Sequence, residues 1–266
     1  MPFTASHIAA VVPLYPRLGR FRILSALAIG SMSPDLHYFL PIDIGRVSTH
    51  GAWGLIWFCL PMSVATYMLY HALVKHALIA LLPEWIAARV NRIAGEPYAL
   101  PNVRWIDVLG AIAIGAGTHI VWDAFTHRRG WGTALFPALR GYVVSVQGLD
   151  LYVYSLLQHA SSGIGLALIA WWAWRWLRQA APSHVEHRSR LSVRTKVLVW
   201  ASISGAAAVN GVIAFAPYLE SIDALRLGTL PAFTLTVSTI AGAAFALLVF
   251  AVAWRRHVLR WSLGGR

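Results

Sequence analysis

A chain of 266 residues that is 58% hydrophobic and only 12% charged is not built for water, since soluble domains carry about a quarter charged residues. Its formal charge of +12 does not point to nucleic acid, because the 22 Lys and Arg are spread through short loops and no basic helix carries interleaved stacking aromatics. The single cysteine, Cys59, excludes an intramolecular disulfide and reads as a small packing residue inside an apolar run.

In chain order, residues 1–20 lack the basic start, apolar core and small-residue cleavage site of a secretory signal, so a retained N-terminus is expected. Next comes an apolar stretch from Ile23 to Leu40, interrupted by Ser-Met-Ser-Pro-Asp at 31–35. Pro34 disfavours helical geometry at Ser33, so this stretch is predicted to be a broken helix that dips into the membrane or lies on it. Five further stretches meet the roughly 20-residue requirement of a membrane crossing: Ala52 to Val74, Ile106 to Phe125, Leu157 to Leu177, Lys196 to Pro217 and Phe233 to Trp254. They are called spans one to five below. Only the second contains acids, Asp107 at its edge and Asp123 near its end. Between spans one and two, Pro83 to Pro101 is predicted to hold a short surface helix carrying Arg89 and Arg92. With no fixed-period repeat and no long flexible linker, the expected fold is all-α: one polytopic membrane bundle of about five spans plus the broken N-terminal helix. Residues 1–165 would form its chemical half, and residues 166–266 the remaining spans and a basic tail.

Cytoplasmic loops accumulate Lys and Arg, and the loop from Arg175 to Lys196 is the most basic. Placing it inside puts 14 of the 22 basic residues on the cytoplasmic side of a bacterial inner membrane. The tail with Arg255, Arg256, Arg260 and Arg266 is then cytoplasmic. The N-terminus, the stretch from His127 to Tyr154 and the loop with Glu220, Asp223 and Arg226 are outside. Many of the 13 tryptophans sit near the ends of apolar runs, as interfacial anchors do.

His119, Asp123 and His127 recur at intervals of four and so share one helix face. Charged groups at membrane depth are costly unless paired, metal-bound or facing a polar cavity. The plain alternative is a hydrogen-bonded knot in which Asp123 pairs with a histidine or Arg128. The predicted topology brings His7, Asp35, His37, His50 and His159 to the same side, with Asp43 or Asp150 as further acids. A mixed His and Asp set favours zinc, with iron or manganese as alternatives. His71, His76, His184, His187 and His257 fall elsewhere and read as non-ligands. Gly110, Gly115, Gly117, Gly163 and Gly165 read as close-packing positions.

Met1-Pro-Phe-Thr-Ala-Ser-His7, Ala28-Ile-Gly-Ser-Met-Ser-Pro-Asp35 with Tyr38-Phe39, Thr49-His50, the His119 to His127 segment and Leu157-Gln-His159-Ala-Ser-Ser resemble a bacterial membrane family, the domain of unknown function numbered 4184. More distantly, the order His7, Asp35, His50, His119, Asp123 and then a later His resembles the ligand order of zinc-dependent phospholipase C, of the related single-strand nucleases and of membrane-bound metal-dependent hydrolases. That resemblance implies a metal set of His7, Asp35, His50, His119 and Asp123, with His127 and His159 as the later members. The later His of that pattern is followed four residues on by Glu, where this chain has Gly163, which leaves one or two zinc ions implied.

The expected function is therefore a membrane-embedded metal-dependent hydrolase acting on a phosphoester or lipid headgroup at the outer face, with Arg128, Arg129 or Arg46 binding phosphate. Its partner would be membrane lipid and not nucleic acid. The alternative is a non-enzymatic structural or stress-related membrane protein. A transporter fits less well, because the charges collect at one face and not at mid-depth between repeats.

Overall fold

The computed structural model describes residues 3–40, 44–94, 100–146, 149–183, 191–219 and 229–264. Asp43, Arg188, Arg190, His184, His187, Glu220, Asp223, Arg226 and Arg266 lie outside that set. Among the described residues, five helices are long and apolar enough to cross a bilayer: Ala52–Leu81, Trp105–Thr126, Val153–Gln179, Val193–Leu219 and Pro231–Val258. The protein is a multi-pass, all-helical membrane protein, with spans a few residues longer at most ends than hydropathy alone delimits. The surface helix between spans one and two runs from Glu84 to Ala94.

Contacts divide the chain into two compact units, Met1–Tyr67 with Asn102–Arg178, and Met68–Pro101 with Gln179–Arg266. In the first unit, the broken helix is α-helical over Leu24–Met32 and continues as a 3-10 turn over Ser33–Phe39. This element is not among the five helices long and apolar enough to cross a bilayer. It buries Ala26, Leu27, Ile29, Gly30 and Ser31 against span two. The approach is close because both surfaces carry glycine. A Cβ on Gly115 would meet the Leu27 carbonyl and the Ser31 nitrogen, and one on Gly30 would meet the Ile112 backbone.

Other features of this unit hold the N-terminus in place. The Phe3 amide donates to Ser162 Oγ of span three at 3.0 Å, and Gly165 lies against Ser6. Trp122 Nε1 donates to Ser161 Oγ at 3.2 Å, joining spans two and three. Asp107 is paired with Arg20 at 3.4 Å. Span one opens with a π-turn over Leu55–Cys59. Between spans two and three the chain forms a hairpin, Tyr142–Val146 paired antiparallel with Leu149–Tyr152, register Ser145 to Asp150.

In the second unit, spans four and five run antiparallel, joined by Asn210 Nδ2 donating to the Ser238 carbonyl at 2.6 Å and by Tyr218 and Thr234 hydroxyls 3.3 Å apart. The later part of span one packs there through Ala77, with Ala251 and Trp254. Lys75 Nζ donates to the Ala94 carbonyl at the end of the surface helix. Val212, Ile213 and Phe245 are exposed, as expected of side chains whose solvent is lipid.

Gly115→Leu should separate the broken helix from span two and cost about 1–3 kcal/mol of overpacking, read as a lower thermal midpoint in detergent. Gly117→Ala is the control: its Cβ meets nothing within 4 Å, and the change should leave the midpoint unchanged or raise it.

Candidate metal centre

Four side chains from different segments meet at one point. Asp35, His50, His119 and Asp123 each present a ligand atom, and these atoms lie within 4.8 Å of one another. His119 is fully buried, Asp35 is 2% exposed and Asp123 is 3% exposed. Span two delivers His119 and Asp123 from one face, four residues apart. Span one delivers His50 just ahead of its first turn, and the 3-10 turn at Pro34 delivers Asp35.

Each is aimed by a second residue. His119 Nδ1 donates to the Ser31 carbonyl at 2.7 Å, which the glycine contact brings within reach, and its Nε2 lone pair then faces the cluster. His50 Nδ1 lies 2.8 Å from Thr49 Oγ1 and 3.2 Å from the Arg46 carbonyl, with the same result. Thr4 Oγ1 donates to Asp35 Oδ2 at 2.7 Å. Backbone or side-chain partners of this kind fix ring orientation at metal sites.

The inward atoms are the informative ones. Nε2 of His7, His50 and His119 and Oδ1 of Asp123 are buried without a hydrogen bond. His50 Nε2 lies 3.3 Å from Asp35 Oδ1 and 3.4 Å from Asp123 Oδ2, and His119 Nε2 lies 3.8 Å and 3.5 Å from the same atoms. Ligands about 2.0–2.2 Å from a tetrahedral zinc are about 3.3–3.6 Å apart, so these separations suit one shared cation. Leaving a buried polar atom unpaired costs about 1–3 kcal/mol, and several are gathered here. The donor set fits a divalent ion: two carboxylates balance its charge, and the imidazoles offer lone pairs.

Two more of the expected residues stand beside this group. His7 stacks on His119 with ring centroids 3.7 Å apart, its Nε2 3.5 Å from Asp123 Oδ1. His127 follows the last residue of span two. Its Nδ1 donates to the Asp123 carbonyl at 3.1 Å and lies 3.5 Å from Asp123 Oδ2, so it caps the helix end while bordering the site. His159 is not brought into the group: it is exposed, and its Nδ1 donates to the Ser155 carbonyl at 2.6 Å. The neighbouring buried residue of that helix is Gln158, and the Ser161-Ser162 pair that follows serves to dock span two and the N-terminus. His37 is buried with its Nδ1 on the Pro34 carbonyl at 2.8 Å, bracing the turn that carries Asp35.

The histidine expected beside Asp123 is present in His7, His50, His119 and His127, but the nearest partner of Asp123 was not expected. Arg46, not Arg128, holds it, with NH2 2.5 Å from Oδ2. No local pattern marks Arg46, because its acid lies 77 residues away.

Burial sets the charge of the flanking groups. It lowers His7 to about 3, with His119 adding to the effect, and lowers His127 to about 4. Burial alone would raise Asp35, but His119 and His50 outweigh it and hold the carboxyl at about 2. Near neutral pH His7 and His127 are therefore neutral imidazoles, and Asp35 is ionised.

Together these features define a class: a multi-pass membrane protein with a buried His and Asp cluster suited to a metal ion where span one begins and span two ends. A family model described as a domain of unknown function (DUF4184) matches residues 1–252, and the chain belongs to that family. No curated protein and no solved structure matches it.

Unfolded histidines titrate near 6.5, whereas folded His7 and His127 resist protonation down to about 3 and 4. Between those limits the unfolded chain binds more protons, so folding stability falls as pH drops below about 6.5. The metal-free protein should melt at a lower temperature at pH 5 than at pH 7.5. An unchanged midpoint would contradict the burial of these rings.

Proposed function

We propose that this protein is a metal-dependent hydrolase of a bacterial inner membrane, acting on a phosphoester, foremost a lipid headgroup, at the outer face. The observation that carries the reading is the convergence of Asp35, His50, His119 and Asp123 on one buried point at the end of the spans, which is the depth of the headgroups. The preponderance of Lys and Arg in the Arg175 to Lys196 loop and the C-terminal tail supports an outer site, an outside N-terminus and a cytoplasmic C-terminus.

Mixed imidazole and carboxylate donors favour zinc, as one or two ions. A zinc ion supplies a water whose pKa falls to about 7, and with it a nucleophile at neutral pH. Asp35, His50, His119 and Asp123 would hold the ion, and His7 is placed to join through Asp123. Thr4, Thr49 and the Ser31 carbonyl fix the ligands' directions. The Arg46 guanidinium, now paired with Asp123, would turn its planar fork to phosphate when Asp123 serves as a ligand, a geometry that suits it. The 31% exposure of the Arg46 side chain leaves it a path to solvent.

The close Arg46 to Asp123 pair also favours a second reading, a structural ion-pair knot in a non-enzymatic membrane protein. Hydrolysis of bis(p-nitrophenyl) phosphate and of a fluorescent phospholipid by purified protein separates the two. Chelation should abolish turnover, and zinc should restore it. Thr4→Val, which keeps every ligand, should lower the zinc-restored rate about 10–100-fold, as loss of a ligand-orienting partner does. No turnover with any divalent metal, or a rate indifferent to chelator, would leave the structural reading standing.

A further inference from the structure

The chain leaving span two builds a second polar feature that the cation cluster does not use. Arg128, Arg129 and Arg140, with Tyr152 and Tyr154, line a cavity of about 320 Å³. That lies at the small end of the about 300–1,000 Å³ typical of ligand pockets, with room for a headgroup and not for acyl chains.

The wall is held in place by its backbone. Thr133 Oγ1 lies 2.9 Å from the His127 carbonyl, 3.1 Å from that of Arg128 and 2.9 Å from that of Gly130. The Gly130 amide donates to the His127 carbonyl at 2.9 Å, and a Cβ on Gly130 would strike the Ala124 carbonyl. The turn bearing Arg128 and Arg129 is thus pressed onto the end of span two. On the other side, the Val153 amide donates to the Gly141 carbonyl at 3.0 Å, and the Tyr152 and Tyr154 rings lie parallel, 5.6 Å between centroids.

The chemistry of the wall is one-sided. It holds three guanidiniums and two phenols, and no carboxylate. Among the described residues Arg20 and Arg46 have acid partners, but none of these three arginines does. Guanidiniums match phosphate oxygens in a bidentate manner, and phenols add donors. The net charge of the wall is positive, so a group carrying several negative charges gains most from it. The wall also begins one residue from His127, whose ring is 3.5 Å from Asp123 Oδ2.

We infer that this cavity is an anion subsite that takes a terminal phosphate or diphosphate group. Its service to hydrolysis rests on the function proposed above; its binding of the anion does not. Three guanidiniums without an acid partner among the described residues favour a multiply charged phosphate, and so point to phosphomonoesters and diphosphates as the substrate class.

The test uses chelator-treated full-length protein in phosphatidylcholine nanodiscs, titrated calorimetrically with inorganic diphosphate, so that a failed metal reading cannot affect the outcome. Saturable binding is expected. Arg129→Gln and Arg140→Gln, both exposed positions, should each weaken it at least 10-fold with unchanged thermal midpoint and unchanged zinc uptake, while Arg140→Lys should recover part of the loss. Adding phosphatidic acid to the discs identifies the natural source: competition assigns the site to a lipid phosphomonoester, and undiminished binding assigns it to a soluble phosphate. Absence of saturable diphosphate binding, or equal affinity in the glutamine variants, would overturn the assignment.

Discussion

The first unit is organised around two carboxylates, Asp35 and Asp123, kept almost wholly from solvent at the ends of membrane-crossing helices. Ionised groups in such a place require compensation, and it comes from remote parts of the chain: His7 from the N-terminus, Arg46 and His50 ahead of span one, His119 from span two. Local architecture follows from that demand. The broken helix turns at Pro34 to present Asp35, and glycines let it lie close enough to span two for the Ser31 carbonyl to orient His119. The N-terminal segment is bound to span three through Ser162, which keeps Thr4 and His7 at the site.

Two kinds of polar burial are at work here. Lys75 with the Ala94 carbonyl is a satisfied pair that reconciles charge with depth. The cluster differs, because its inward nitrogens and one carboxylate oxygen face each other without hydrogen bonds. Such an arrangement is expensive in isolation, and a cation at its centre would relieve it. The Asn210 to Ser238 contact between spans four and five, by contrast, closes its hydrogen bond.

Much of this was legible in the sequence because hydropathy and helical period are local signals. Long apolar runs mark the spans, and the spacing of His119 and Asp123 marks a shared face. Pro34 marks the break, although not the 3-10 turn that aims Asp35. The convergence of His7, Asp35 and His50 was legible only through topology and resemblance, since nothing local in their surroundings specifies a common point. His159 illustrates the limit: one residue is about 100° around a helix, and Gln158, not His159, takes the inward position. Arg46 was invisible as the partner of Asp123 because their pairing is long-range. The hairpin at Tyr142–Tyr152 sits between two strong helical signals, and its short β-branched run, Tyr142-Val-Val-Ser-Val146, was placed only within the outer stretch from His127 to Tyr154.

The account depends on the inward-facing atoms being the ligands of a metal ion. Elemental analysis of the purified protein beside Asp123→Ala, with His159→Ala as the companion, tests this most directly. The account predicts one or two equivalents of a divalent transition metal in the wild type and in His159→Ala, and a trace in Asp123→Ala. Equal, near-zero metal in all three would contradict it.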